Sequence, residues 1–165
     1  MSDAYVECLV AAKRKPLMSF LKYLTISLTV VCGLLGLVGF YIIWFIAIAL
    51  GVGAYFLSVY SNVEYEYLYL DKEIVVDKIF SQTRRKRFAT YPLEKIEIIA
   101  PLKSWHLDSY KNRNFKEEDI SSGVEKQPET RYVFYYNGEK KVIFEPDEDM
   151  VKILRNAAPR KVFVD

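Results

Sequence analysis

The chain holds one histidine, His106, and two cysteines, Cys8 and Cys32. Outside its most apolar stretch it has two glycines, Gly123 and Gly138. Each scarcity removes a class of chemistry. With one histidine, a Ser-His or Cys-His arrangement could be built only around His106, and no Gly-x-Ser-x-Gly elbow is present; His106 reads as a surface or structural residue beside Trp105. Too few glycines remain for a phosphate-cradling loop. The cysteines have neither metal-ligand nor disulfide-framework spacing and agree with a reducing compartment. Glu117-Glu118-Asp119 and Asp147-Glu148-Asp149 lack the alternating oxygen ligands and central glycine of a calcium loop, and read as a solvated loop and a helix start. No catalytic residue, metal or cofactor is therefore assigned, and the chain is not expected to be an enzyme.

Charge is missing too. From Tyr23 to Val63 no charged side chain interrupts the sequence. One crossing of a hydrocarbon core of roughly 30 Å takes about 20 apolar residues, and this stretch is roughly twice that long. Glycines near its middle, Gly33, Gly36 and Gly39, permit a sharp reversal. Two helices are predicted, Leu17 to about Leu37 and Phe40 to about Tyr60, in preference to one over-long tilted helix. Ala47 with Gly51, and Ala49 with Gly53, are small residues four apart that let helix backbones approach closely in lipid, within the hairpin or in a homo-oligomer. Tyr41, Trp44 and Tyr60 suit interfacial aromatic belts.

Lys13, Arg14, Lys15 and Lys22 precede or open the first helix, while the turn near Gly39 has no cation. The positive-inside bias then places both termini of a two-span cell-membrane protein in the cytoplasm. A cleavable signal is the competing reading, disfavoured because the apolar run is too long and has no small-residue cleavage site of the usual pattern. Before the helices, Tyr5, Val6, Leu9 and Val10 form an apolar stripe at helical spacing, either an amphipathic lead-in at the interface or a loosely ordered tail. The expected division is a juxtamembrane segment 1–16, a hairpin 17–61 and one small globular domain 62–165.

Beyond Asn62 the period changes to two. Val63, Tyr65, Tyr67 and Tyr69 alternate with Glu64, Glu66, Leu68 and Leu70, the pattern of a strand rich in β-favouring aromatics. Asp71-Lys72-Glu73 is a turn, Glu73 to Ser81 a second strand, Arg85 to Tyr91 a third, and Lys95 to Ala100 a fourth, a spacing that argues a meander. The stretch 101–130 is the least regular; a strand near Ser104 to Lys111 and then a loop are expected there, since a structureless loop that long is uncommon. Asn137-Gly138 joins two further strands, the strongest short hairpin signature. A helix follows, with Pro146 at its first position, acidic residues in its first turn, an apolar face of Met150, Val151, Ile153, Leu154 and Ala157, and Pro159 ending it.

This order predicts an α+β fold: a two-helix transmembrane hairpin followed by a pleckstrin-homology-like (PH-like) antiparallel β-barrel closed by a C-terminal helix. The chain also resembles small bacterial membrane proteins in which two spans precede a bacterial PH-like domain, families of unknown function among them. The residues that carry the resemblance are Tyr65-Glu66-Tyr67, Asp71-Lys72-Glu73-Ile74-Val75-Val76-Asp77, Arg85-Lys86-Arg87 and Leu93-Glu94-Lys95-Ile96-Glu97. The resemblance implies a membrane-tethered PH-like module and no catalytic residues. The phosphoinositide ligands of eukaryotic PH domains do not carry over, because the first hairpin turn, Asp71-Lys72-Glu73, is net acidic.

One basic constellation remains. Two antiparallel strands of similar length bring the turn after Ser81 back to the membrane end, so Arg84, Arg85, Lys86 and Arg87 are expected near Lys13, Arg14 and Lys15 at the surface. There each cation gains about 1 kcal/mol from an anionic leaflet. The functional expectation is a non-enzymatic PH-like binding module at the cytoplasmic membrane surface, for a protein partner or anionic lipid. The alternative is a structural or accessory subunit of a larger membrane complex, assembled through the hairpin. Nucleic acid is excluded as a partner, since acidic and basic residues cancel beyond Val63.

Overall fold

The structure, a computed structural model, describes residues 5–13 and 16–164. Contacts divide the chain into two compact units: Pro16 to Val63 falls in one together with Phe80–Arg84, and Lys13 and the residues before it fall in the other with Glu64–Ile79 and everything from Arg85 onward.

In the first unit, α1 (Pro16–Leu37) and α2 (Ile43–Ser61) pack against each other as a hairpin. A single tilted helix is thereby excluded. Both helices are long and apolar enough to cross a membrane, and only 6% and 11% of their most apolar windows is buried, far from what the core helix of a water-soluble fold would show. Several hydroxyls are satisfied within the helices: Thr25 and Thr29 donate to the carbonyls of Leu21 and Thr25, Ser27 to that of Leu24 and Ser61 to that of Ser58, which suits a surface that faces hydrocarbon. The reversal uses Gly39 at φ +119°, a conformation other residues rarely adopt. Trp44 folds over Gly36 so closely that a Cβ there would meet the indole at 2.5 Å.

The second unit is built on two four-stranded sheets. The first has the order β1 (Val6–Ala11), β2 (Val63–Leu70), β3 (Glu73–Phe80), β4 (Arg84–Pro92). The second runs β5 (Ile96–Pro101), β7 (Tyr132–Tyr136), β8 (Lys140–Phe144), β6 (Lys116–Asp119). These are two separate sheets, and closure into the expected barrel is not observed. Nor is the pairing wholly antiparallel, because β6 runs parallel to β8.

The segment read as an amphipathic lead-in or loose tail is β1. It pairs antiparallel with β2, Cys8 opposite Tyr67 and Ala11 opposite Glu64. Val6, Cys8 and Val10 face the core, whereas Leu9 and Ala11 are apolar on the outer face and hide the period of two. The hairpin is therefore inserted between two neighbouring strands: the chain leaves β1 for α1 and returns from α2 directly into β2.

Between the sheets, Tyr67, Ile74 and Val76 meet Phe134, Val142 and Phe144, and Met150 and Leu154 of α3 (Glu148–Ala157) complete the core. Asp147 caps α3, its side chain accepting from the Met150 amide at 2.8 Å, so Pro146 lies before the cap and not at the first helical position. The strand expected near Ser104–Lys111 is a 3-10 helix, Trp105–Tyr110, started by the Ser104 hydroxyl. Tight reversals occur at Asp71-Lys72 and Asn137-Gly138, with positive φ at both central residues of each.

Candidate functional site

The basic turn is shaped first by its backbone. Ser81 and Gln82 take φ of 48° and 58° and send the chain from β3 into β4. In the hairpin unit, the Ser81 amide donates to the Asn62 carbonyl at 2.7 Å, and the rings of Phe80 and Tyr60 meet edge to face at 5.7 Å. Arg84 thus begins β4 from a turn fixed to the C-terminal end of α2.

Alternation along β4 then splits the cations. Arg85 donates to Glu66 Oε1 at 2.6 Å and Arg87 to Asp77 Oδ1 at 3.2 Å. Both carboxylates are buried, so these two arginines neutralise the sheet's own charge and are not a free pair of surface cations. Arg84 and Lys86 are exposed, and neither has an ion-pair partner among the described residues. Lys78, on the other face of the sheet, stands 5.3 Å from the Tyr65 ring centroid and 5.5 Å from that of Phe88. Lys13 lies against Gly123 and pairs with Asp119 at 3.7 Å, while its amide donates to Ser121. Arg14 and Lys15 fall outside the described residues. Of the cations expected to cluster, Lys13, Arg85 and Arg87 are thus each paired with a carboxylate, and Arg84 and Lys86 are exposed.

The small residues of α2 separate in the same way. Ala47 is buried, and a Cβ on Gly51 would touch Thr29 of α1 at 3.7 Å, so this pair serves packing inside the hairpin. Ala49 is exposed, and a Cβ on Gly53 would meet open space.

Three further polar arrangements bear on chemistry. His106 is stacked between Trp105 and Phe163, with centroids 3.7 and 4.0 Å away, a packing role. Burial would raise the Glu145 carboxyl, but donors from Lys126, Ser122 and Thr130 outweigh it and hold the group at about 2. Burial, then the neighbouring Glu7, push Glu66 up to about 7, with Arg85 opposing. Sequence reasoning missed Glu66 and Asp77 as buried partners of the arginines; the signal available was a carboxylate on β2 and another on β3 facing a run of cations at strand spacing. No group of three or more His, Cys, Asp or Glu able to hold a metal occurs among the described residues.

A model of the family described as Bacterial PH-like domain (DUF6106) matches residues 2–164. The chain belongs to this family. Because the match runs through both helices and β1, the inserted hairpin is part of what this PH-like chain shares with the family model. No curated protein and no solved structure matches the chain.

Proposed function

We propose that this PH-like protein is a non-enzymatic binding module held at the cytoplasmic membrane surface by its helical hairpin, where Arg84 and Lys86 engage anionic lipid headgroups or an acidic protein partner. The observation that supports the reading most is the Phe80–Arg84 turn, fastened to the end of α2 by the Ser81–Asn62 hydrogen bond and the Phe80–Tyr60 contact. If α2 crosses the bilayer, Arg84 begins its strand at the interface, and Lys86 follows within about 7 Å of extended chain. Pairing of β1 with β2 supports two crossings and not one, since an odd number would leave the partners on opposite sides. The cations before α1 support a cytoplasmic location for both ends.

The test is lipid enrichment. Full-length protein extracted from mixed anionic and zwitterionic lipid should retain anionic lipid in excess of the input ratio, and Arg84→Gln with Lys86→Gln should abolish the excess. Equal retention by wild type and variant would overturn the lipid arm.

A second reading, an accessory subunit of a larger membrane complex, is favoured by Ala49 and Gly53, the small pair that the hairpin itself leaves uncovered. Ala49→Leu with Gly53→Leu should then release co-purifying membrane partners in mild detergent, or convert a homo-oligomer to monomer, while Ala47→Leu should damage the hairpin itself.

A further inference from the structure

On the outer face of the first sheet the register sets Glu7 opposite Leu68 and Leu9 opposite Glu66, which makes Glu7 and Glu66 diagonal neighbours across the β1–β2 pair. Glu66 is 1% exposed. Its Oε1 accepts from Arg85, but its Oε2 has no donor among the described residues. The carboxyl that the register sets beside it is that of Glu7, and two ionised carboxylates have no hydrogen to offer each other.

We propose that Glu7 and Glu66 hold a single proton between them, and that this proton fastens β1, the strand leading into the first helix, to the sheet. The surrounding charges among the described residues favour this resolution. Tyr5 donates its hydroxyl to Glu7 Oε2 at 2.8 Å and so is already committed. From β3, Asp77 adds negative charge and is answered by Arg87 of β4; Arg85, also of β4, is the one cation on Glu66 among the described residues; and Glu64 of β2 lies two residues along the same face. Four carboxylates thus face two guanidinium groups. Among the described residues around Glu66 no cluster of acidic side chains closes to hold a metal.

The electrostatics agree with the geometry. Burial and Glu7 raise Glu66 from 4.5 to about 7, while the hydrogen bonds from Glu66 and Tyr5 lower Glu7. Two such groups titrate as a pair, one proton leaving late and the other early. The folded sheet binds this proton where the unfolded chain has lost it, so its contribution is complete below about pH 4.5 and disappears as pH rises through about 7. The consequence is local, because β1 is an edge strand paired with another strand on one side only. Acid closes it onto β2 and neutral to alkaline solution loosens it, whichever ligand the basic turn binds.

The experiment is amide hydrogen exchange on the full-length protein in detergent micelles at pH 5.5 and pH 8.5, with each rate divided by its intrinsic value. Protection of Val6–Ala11 should fall at least about tenfold between the two, while that of Ile96–Pro101 stays constant. Glu66→Gln and, separately, Glu7→Gln supply a permanent amide donor to the remaining carboxylate and should keep β1 protected at both values. An infrared band of a protonated carboxyl in the wild type, lost near neutrality and absent from Glu66→Gln, should accompany the change. Wild-type protection of β1 that is the same at both pH values, or a Glu66→Gln variant that keeps the wild-type fall, would overturn the proposal.

Discussion

The two sheets share one core and finish their outer faces in opposite ways. The second sheet, drawn from one continuous stretch between Ile96 and Phe144, covers its outer face with a second apolar layer in which Ile98, Val133, Tyr135 and Ile143 pack against Leu107 of the 3-10 helix. The first sheet draws β1 from before the membrane hairpin and β2 from after it, and its outer face carries Glu66–Arg85 and Asp77–Arg87 instead. Apolar cover yields stability that hardly depends on pH, whereas a face of buried carboxylates depends on each partner and on pH. The difference separates a sheet built for permanence from one whose edge answers to solution conditions.

The largest effect should come from removing the strand that makes the first sheet discontinuous. The stretch 61–165 alone, which sequence reasoning expects to fold, lacks β1 and leaves Cys8's place against Tyr67 and Glu145 empty. We expect no cooperative unfolding transition by circular dichroism. A chain in which β1 is joined to β2 by a short Asn-Gly turn in place of the helices should restore one. Cooperative folding of the first form would mean that β1 only decorates the sheet.

Next, Leu107→Ala opens the apolar cover of the second sheet and should cost about 3 kcal/mol in thermal or denaturant unfolding in micelles, independent of pH. Arg85→Gln leaves Glu66 buried beside Glu7 and should cost less, about 1 to 2 kcal/mol, because Arg85 itself is half exposed. That loss should be larger at pH 8 than at pH 5.5, where Glu66 carries its proton. Glu145 should respond in the opposite direction: its carboxyl is held at about 2 against 4.5, so its contribution is present above 4.5 and fades as pH falls toward 2. Exchange protection of the loop that binds it, around Ser122, Lys126 and Thr130, should decline over that interval and stay low throughout in Glu145→Gln. Smallest of all, Arg84→Gln with Lys86→Gln should move stability by less than about 0.5 kcal/mol while altering lipid retention, since neither side chain has an ion-pair partner among the described residues to lose.

The hairpin was legible because length and the absence of charge decide it, and Gly39 marks the reversal. β2, β3 and the β7–β8 hairpin were legible because Tyr65, Tyr67 and Tyr69 alternate cleanly and Asn137-Gly138 admits little but a tight turn. β1 was hidden by Leu9 and Ala11 on the outer face, and β6 by its composition, Lys-Glu-Glu-Asp, which owes its strand to pairing with β8 and not to apolar periodicity. In the basic run, spacing revealed the charge but not its allocation. Whether Arg85 faces solvent or a buried carboxylate depends on which residues of β2 and β3 share its face, and that register lies far away in sequence.

Insertion of the hairpin between paired strands also sets an order of assembly. During synthesis β1 emerges first and has no partner; α1, the turn and α2 must all follow before Val63 begins β2. If both helices cross a bilayer, the two partners can meet only when the chain comes back to the side it left, and a helix that fails to cross leaves β1 stranded away from Tyr67. Completion of the first sheet would in that case proofread membrane insertion. A chain with wrong topology would display an unpaired, tyrosine-rich strand edge, the kind of surface that aggregates or is degraded.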